Sequence, residues 1–191
     1  MKVGFTGHRP DKLWGYDYEH PYYQSLKRKI IKFLIDEKVK EVYCGMALGF
    51  DIITALATLE CKEQGYDIKL IACIPCDRQE SKWNWKDQKL YWDVLRKCDK
   101  IYGVTESGAE VELVTMFIDE GVYELWTIEP RDYLVEYKPW LMQARNKIIV
   151  NHCDTLIALW DGSSGGTYNC IDYAKRQGRV NIIVWDPSEF Q

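Results

Sequence analysis

The chain has 191 residues, enough for one α/β domain with a sizeable core, and no linker-like stretch divides it. Lys and Arg number 25 against 29 Asp and Glu, so the net charge is -4 and the pI lies near 5.5, which argues against nucleic acid or an anionic membrane as a partner. No apolar run reaches the about 20 residues of a membrane span, and the chain enters a strand at once without a signal-peptide pattern, so the expected compartment is cytoplasmic.

Seven cysteines fit that compartment: they are scattered, odd in number and mostly set among apolar residues, as reduced thiols are. Eight Trp and thirteen Tyr make the chain rich in rings, which serve more often as core or interface than as purine platforms.

In chain order, Lys2 to Thr6 predicts a first strand, closed by a turn at Gly7, His8, Arg9 and Pro10. At a strand's carboxyl end an Arg can hold phosphate bidentately and a His can donate or accept, although a plain surface turn would read the same way. Asp11 to Tyr22 is irregular and aromatic, a loop expected over the strand ends. Leu26, Ile30, Phe33 and Leu34 then mark one face of a helix from about Tyr23 to Asp36, with Lys27, Arg28, Lys29 and Lys32 mainly off that face.

Glu41 to Cys44 is a second strand, followed by GMALGFD (Gly45 to Asp51) and a helix with Ile52, Ala55, Leu56 and Leu59 on one side. Gly45 and Gly49 permit close backbone approach around Met46. Asp51 falls where a helix N-cap belongs, kept ionised by the helix dipole; it is also a candidate ribose acceptor, or a base acting on water. Lys69 to Ile74 is a third strand, closed by Pro75. Cys73 and Cys76 form a CxxC spacing with no second pair or suitably spaced His, so no metal site is expected. Arg78, Gln79, Trp83 and Trp85 either cover a base or pack at a subunit contact.

Tyr91, Val94, Leu95 and Cys98 define another helix face, leading to a fourth strand, Lys100 to Val104. From Thr105 to Val135 the βα alternation breaks. VELVTMFI and VYELWTI read as a hairpin, or as a short helix and a strand, in an insertion at 105–135 suited to a lid or an oligomerisation arm; a homo-oligomer is the expected assembly.

Lys138 to Val150 restores a helix with Leu141, Ala144, Ile148 and Ile149 inward. Arg145 borders that face beside Asn146, where a cation needs an anion: a structural carboxylate or a ligand. A strand from Thr155 to Trp160 then ends in a loop of small residues: Asp161, Gly162, Ser163, Ser164, Gly165, Gly166 and Thr167. A helix opening near Gly166 leaves its first N–H groups unpaired, with hydroxyl donors beside them, and this predicts a phosphate site. No Lys follows the last glycine, so it is not a Walker loop. Cys170, Tyr173 and Ala174 face inward, Gly178 is a C-cap, and Asn181 to Val184 is a last strand.

TGHRP, GMALGFD, IPC, ARN and WDGSSGGT, in that order, resemble the successive motifs of the YpsA-like branch of the SLOG superfamily. These are Rossmann-like nucleotide-binding proteins similar to the LOG phosphoribohydrolases, the Moco-carrier proteins and the DprA core. The resemblance spans the chain outside 105–135. It implies a doubly wound, mostly parallel α/β sheet with helices on both faces. It also implies a ligand between the first, second and last strand-loop-helix units, with the DGSSGGT loop on phosphate, Arg145 near it and Gly45 to Asp51 toward the ribose.

LOG enzymes carry PGGxGTxxE, and laying Gly166-Thr167 on its GT places Cys170 where the glutamate assists cleavage. A thiol cannot take over that carboxylate's role, leaving Asp51 or Asp172 to substitute. The resulting expectation is a single domain, 1–191, that binds a small-molecule nucleotide without a cofactor. ADP-ribose, cyclic ADP-ribose or another nucleotide signal would be sensed or sequestered, because superfamily relatives in bacterial defence bind NAD-derived signals. Hydrolysis or transfer at a nucleoside N-glycosidic bond is the alternative, with Asp51 as its catalytic candidate.

Overall fold

The computed structural model describes residues 1–119, 122–127 and 135–191, with no account of the Val122 side chain. Strands β1 (Lys2–Gly7), β2 (Glu41–Cys44), β3 (Lys69–Ile74), β4 (Lys100–Val104), β5 (Glu110–Asp119), β6 (Val122–Thr127), β7 (Thr155–Leu159) and β8 (Asn181–Trp185) form one sheet in the order β6-β5-β4-β3-β2-β1-β7-β8. Among the described residues six strands are parallel, and β5 and β6 run antiparallel to their neighbours. The short, almost wholly buried apolar runs of β1, β3 and β7 are what a sheet covered on both faces requires.

One face carries α1 (Pro21–Asp36), α2 (Phe50–Glu63) and α3 (Trp85–Leu95), whose Leu26, Ile30, Ile53 and Tyr91 join Phe5 and Leu70 in the larger core. The other carries α4 (Pro139–His152) and α5 (Gly166–Gln177), where Leu141, Ile149 and Cys170 meet Tyr43, Ile71 and Leu156. Burying Cys170 pushes its thiol up to about 12, so it acts here as a small hydrophobe.

β1 is the point where the chain changes direction. Its neighbours are β2, reached at once, and β7, reached only after the whole β2–β6 excursion. Open α/β sheets bind ligands outside the carboxyl ends of the strands at such a switch. The pairing of Gly7 with Leu159 sets the β1 and β7 exits side by side.

The helix expected from Tyr23 begins at Pro21, capped by His20, and the last two strands each end one residue from their expected limits. Of the two readings of the insertion, the described residues give the hairpin. Val111 and Leu113 lie buried against the core, while Phe117 and Trp126 remain exposed. The hairpin extends the sheet at the edge away from β7. Residues 120, 121 and 128–134 of that stretch lie outside the described residues.

Candidate functional site

Outside the ends of β1 and β7 lies a cleft of about 320 Å³. Three chain segments are stitched together around it. The His8 N–H donates to the Leu159 carbonyl (3.3 Å), and the His8 carbonyl accepts from the Phe50 N–H (3.2 Å). The buried imidazole of His8 reaches Asp161, just beyond β7, with Nε2 2.7 Å from Oδ1. Only glycine suits Gly49: its φ is 94°, and a Cβ there would meet the His8 carbonyl oxygen at 2.6 Å. The Tyr18 hydroxyl, delivered by the aromatic loop, accepts from the Gly49 N–H (2.7 Å).

The small-residue loop forms the anion-receptive wall. Gly165, at φ 143°, precedes α5, and no side chain caps that helix. Its first N–H groups therefore face the cleft, which Gly165, Gly166 and Thr167 line, and the helix dipole adds partial positive charge there. The loop's shape is internally fixed. The Ser163 N–H donates to Asp161 Oδ1 (2.9 Å), and Trp160 Nε1 donates to the Ser163 carbonyl (2.7 Å). Hydrogen bonds from Ser163, followed by the contribution of His8, hold the Asp161 carboxyl well below the usual carboxylate range. Lys12 Nζ donates to Ser163 Oγ (2.8 Å), bringing a cation to the loop.

Opposite stand Arg145 and Asn146, both buried on α4, and Met142 and Ile149 share their face at i, i+3, i+4 and i+7 spacing. Asn146 Nδ2 donates to the Gly166 carbonyl (3.3 Å), tying α4 to the first turn of α5. Arg145 is 8 % exposed, and its one ion pair among the described residues is a long contact from Nη1 to Asp51 Oδ2 (3.4 Å). Arg145 Nε has no hydrogen-bond partner among the described residues. A buried guanidinium with an unspent donor beside an open cleft and an uncapped helix is a charge waiting for an anion.

Asp51 corrects two sequence expectations. The N-cap of α2 is Gly49, and Asp51 sits inside the first turn, accepting from the Ala47 N–H (3.2 Å). Nor does the dipole keep its carboxyl low: burial raises it above the ordinary value, and Arg145 only partly offsets this.

Of the residues singled out in the sequence, Gly7, His8, Arg9, Asp51, Arg145 and Asn146 line the cleft, as do Ser163 to Thr167. The others do not. Gly45 lies behind Arg145, leaving room for its guanidinium, and Met46 is fully buried with φ 56°. Gly49 and Pro75 are likewise buried, Asp161 acts through His8 and Ser163, and Gly162 shapes the turn at φ 88°. Asp172 pairs with Arg176. Lys12 and Met142 line the cleft without having been predicted. The i-3 relation of Met142 to Arg145 was the available signal for one; Lys12, in an irregular loop, carried none.

Fold and cleft together define a Rossmann-like α/β protein with a nucleotide-binding type of architecture. The chain belongs to the YspA SLOG family, whose family model matches residues 3–114. It is 29 % identical over 163 residues to the uncharacterized SPbeta prophage-derived protein YoqJ of Bacillus subtilis, covering 83 % of this chain and 85 % of that one. A UPF0398 protein of Bacillus pumilus is 24 % identical over 168 residues, covering 86 % and 76 %.

Among solved structures, DNA processing protein A (DprA) of Streptococcus pneumoniae superposes with a TM-score of 0.57 at 18 % identity, over 96 % of this chain. This chain spans about half the length of that protein, 49 %. DprA of Helicobacter pylori superposes with a TM-score of 0.56 at 15 % identity, covering 99 % and 70 %, and is described by its single-stranded DNA binding mode. That finding overturns the expectation that nucleic acid is an unlikely partner. The net charge is a sum over the whole surface, whereas a crevice lined by Arg9, Lys12 and Arg145 has a local field of its own. Among the described residues, no helix is long and apolar enough to cross a membrane.

Proposed function

We propose that the cleft binds a phosphorylated nucleoside, with its phosphate on the N-terminus of α5 and the guanidinium of Arg145, and that the chain recognises a nucleotide signal for sensing or sequestration. The observation that carries this reading is the unpartnered Nε of Arg145, buried beside an uncapped helix end. Lys12 and Arg9 supply further cationic donors at the rim, and the apolar Phe5, Met142 and Ile149 supply part of the remaining wall. ADP-ribose and cyclic ADP-ribose belong to the ligand class named by this reading.

Titration calorimetry of the full chain against AMP, ADP-ribose, cyclic ADP-ribose, NAD, cyclic dinucleotides and a short DNA strand tests it. Binding tighter than millimolar for at least one ligand, lost in Arg145→Ala, is the expected result. No binding anywhere, or an unchanged affinity in Arg145→Ala, overturns it.

One observation favours cleavage as a second reading: Asp51 reaches the same cleft, and burial shifts its carboxyl upward, the direction a general acid needs. Release of free base from a bound ligand, abolished in Asp51→Asn, would establish it; an intact ligand after long incubation would leave recognition alone.

A further inference from the structure

A second cavity of about 290 Å³ opens on the far side of the segment Arg9–Asp11. Both cavities are lined by Arg9 and Asp11, so this segment is the septum between them. The second is floored by Leu48 and bounded by Tyr16 from the aromatic loop, Lys82 and Trp83 from the β3–α3 connection, and Asp87 from the first turn of α3. Nothing in the phosphate site uses these groups.

Three observations mark it as a place for a ligand. Arg9, on the septum, makes no side-chain hydrogen bond and no ion pair among the described residues, and neither does Lys82 at the rim. Asp87 is 7 % exposed, and its carboxylate accepts from Asn84 Nδ2 through Oδ2 (2.6 Å), while its other oxygen has no hydrogen-bond partner among the described residues. Trp83 is half-buried, packed edge-on against Tyr91 (centroids 5.6 Å, 89°), and is thereby fixed in the cavity wall. A ring, an acceptor and a cation around a cavity of this size match the face, the donor edge and the phosphate of a nucleotide. Each cavity alone is near the lower end of the about 300–1,000 Å³ usual for small-molecule sites.

We infer that the second cavity is a base-binding subsite, so that the ligand contains two nucleoside units joined through phosphate, with the linking phosphate against Arg9. The inference rests on the phosphate-site reading above: the first unit occupies the cleft beside Arg145, and the second base lies at Trp83. The shared chemistry is a phosphate-linked dinucleotide, whether free or as the end of a strand.

The test is calorimetry of the full chain with 5′-AMP, ADP-ribose, the 5′-phosphorylated diadenylate pApA and a 5′-phosphorylated hexa-adenylate. A stacked second base is expected to make pApA bind about tenfold tighter than AMP. ADP-ribose, which lacks that base, is expected to stay within about threefold of AMP. Lys82→Glu and Trp83→Leu should abolish the gain of pApA and leave AMP unchanged; Lys82 is exposed and makes no hydrogen bond or ion pair among the described residues, so its variant is the control for any unfolding caused by Trp83→Leu. A further gain for the hexamer supports a strand end as the source, and no further gain supports a free dinucleotide.

Equal affinity for AMP and pApA, an equal gain for ADP-ribose, or a gain that survives both substitutions overturns the inference. If AMP binds and Arg145→Ala abolishes it while pApA gains nothing, only the second subsite falls. If neither AMP nor pApA binds, or Arg145→Ala binds both unchanged, the phosphate-site reading falls as well.

Discussion

A methyl group on Gly45 would stand 1.2 Å from a guanidinium nitrogen of Arg145, so the end of β2 and the middle of α4 share one space that only glycine leaves free. The backbone of Gly45 is not in the left-handed region, and space alone forbids a side chain. Gly45→Ala is therefore expected to drive the guanidinium out of its seat. Stability should fall by about 1–3 kcal/mol, the usual range for overpacking, and AMP affinity should fall as far as in Arg145→Ala. Urea denaturation and calorimetry on the same preparation check both.

Removing the cation instead exposes the problem of Asp51. In Arg145→Ala its carboxyl, already raised by burial, loses the charge that partly offsets that burial. The folded state then holds the proton to higher pH than the unfolded chain, which releases it near 3.8. Stability must fall as pH rises above that value. The deficit relative to the parent is expected to be small near pH 4 and to approach about 2 kcal/mol by pH 7, less than for a fully enclosed pair because the cleft admits water. Adding Asp51→Asn should flatten this slope; a deficit independent of pH would refute the account.

Asp161 has the opposite sign. Its folded value lies below the unfolded one of about 3.8, so its stabilisation of the loop is complete above that pH and is lost as pH falls through the depressed value. The difference between the parent and Asp161→Asn is expected to be at most about 1 kcal/mol, since the group is largely exposed. It should hold steady from pH 5 upward and fade in stronger acid. Unfolding curves across that range measure it.

Gly166 separates folding from binding. It opens α5 with ordinary backbone angles, and a Cβ there meets nothing within 4 Å. Gly166→Ala is expected to stabilise the domain by about 0.4–1 kcal/mol and to weaken AMP at least fivefold by intruding on the anion's seat. Gly165→Ala, at φ 143°, should destabilise the fold as well as weaken binding. Thermal melts and calorimetry distinguish the two.

The parallel strands and the alternating helices were legible because period and turn chemistry agree over short windows: Glu41–Cys44 and Lys69–Ile74 end where the residues say. The loop at Gly162 to Thr167 was legible for the same reason. Other features depend on long-range packing. That Asp51 pairs with Arg145, and that Gly45 makes way for the same guanidinium, are facts about segments 94 and 100 residues apart that no local window contains. The hairpin reading could not be separated from a helix because its outer residues, exposed on one face, keep no single period. In the sequence Trp83 reads equally as a base cover or a subunit contact, because the cavity it lines is assembled from segments as far apart as Arg9 and Asp87.

His8 and Asp161 meet across 153 residues, and Arg145 meets Asp51 across 94. A bound anion would thus rivet the first and last portions of the polypeptide to one another, so that occupancy guards the entire domain against unravelling from either terminus. A nucleotide signal would be registered here as global rigidity, and an empty protein would be the more readily degraded one.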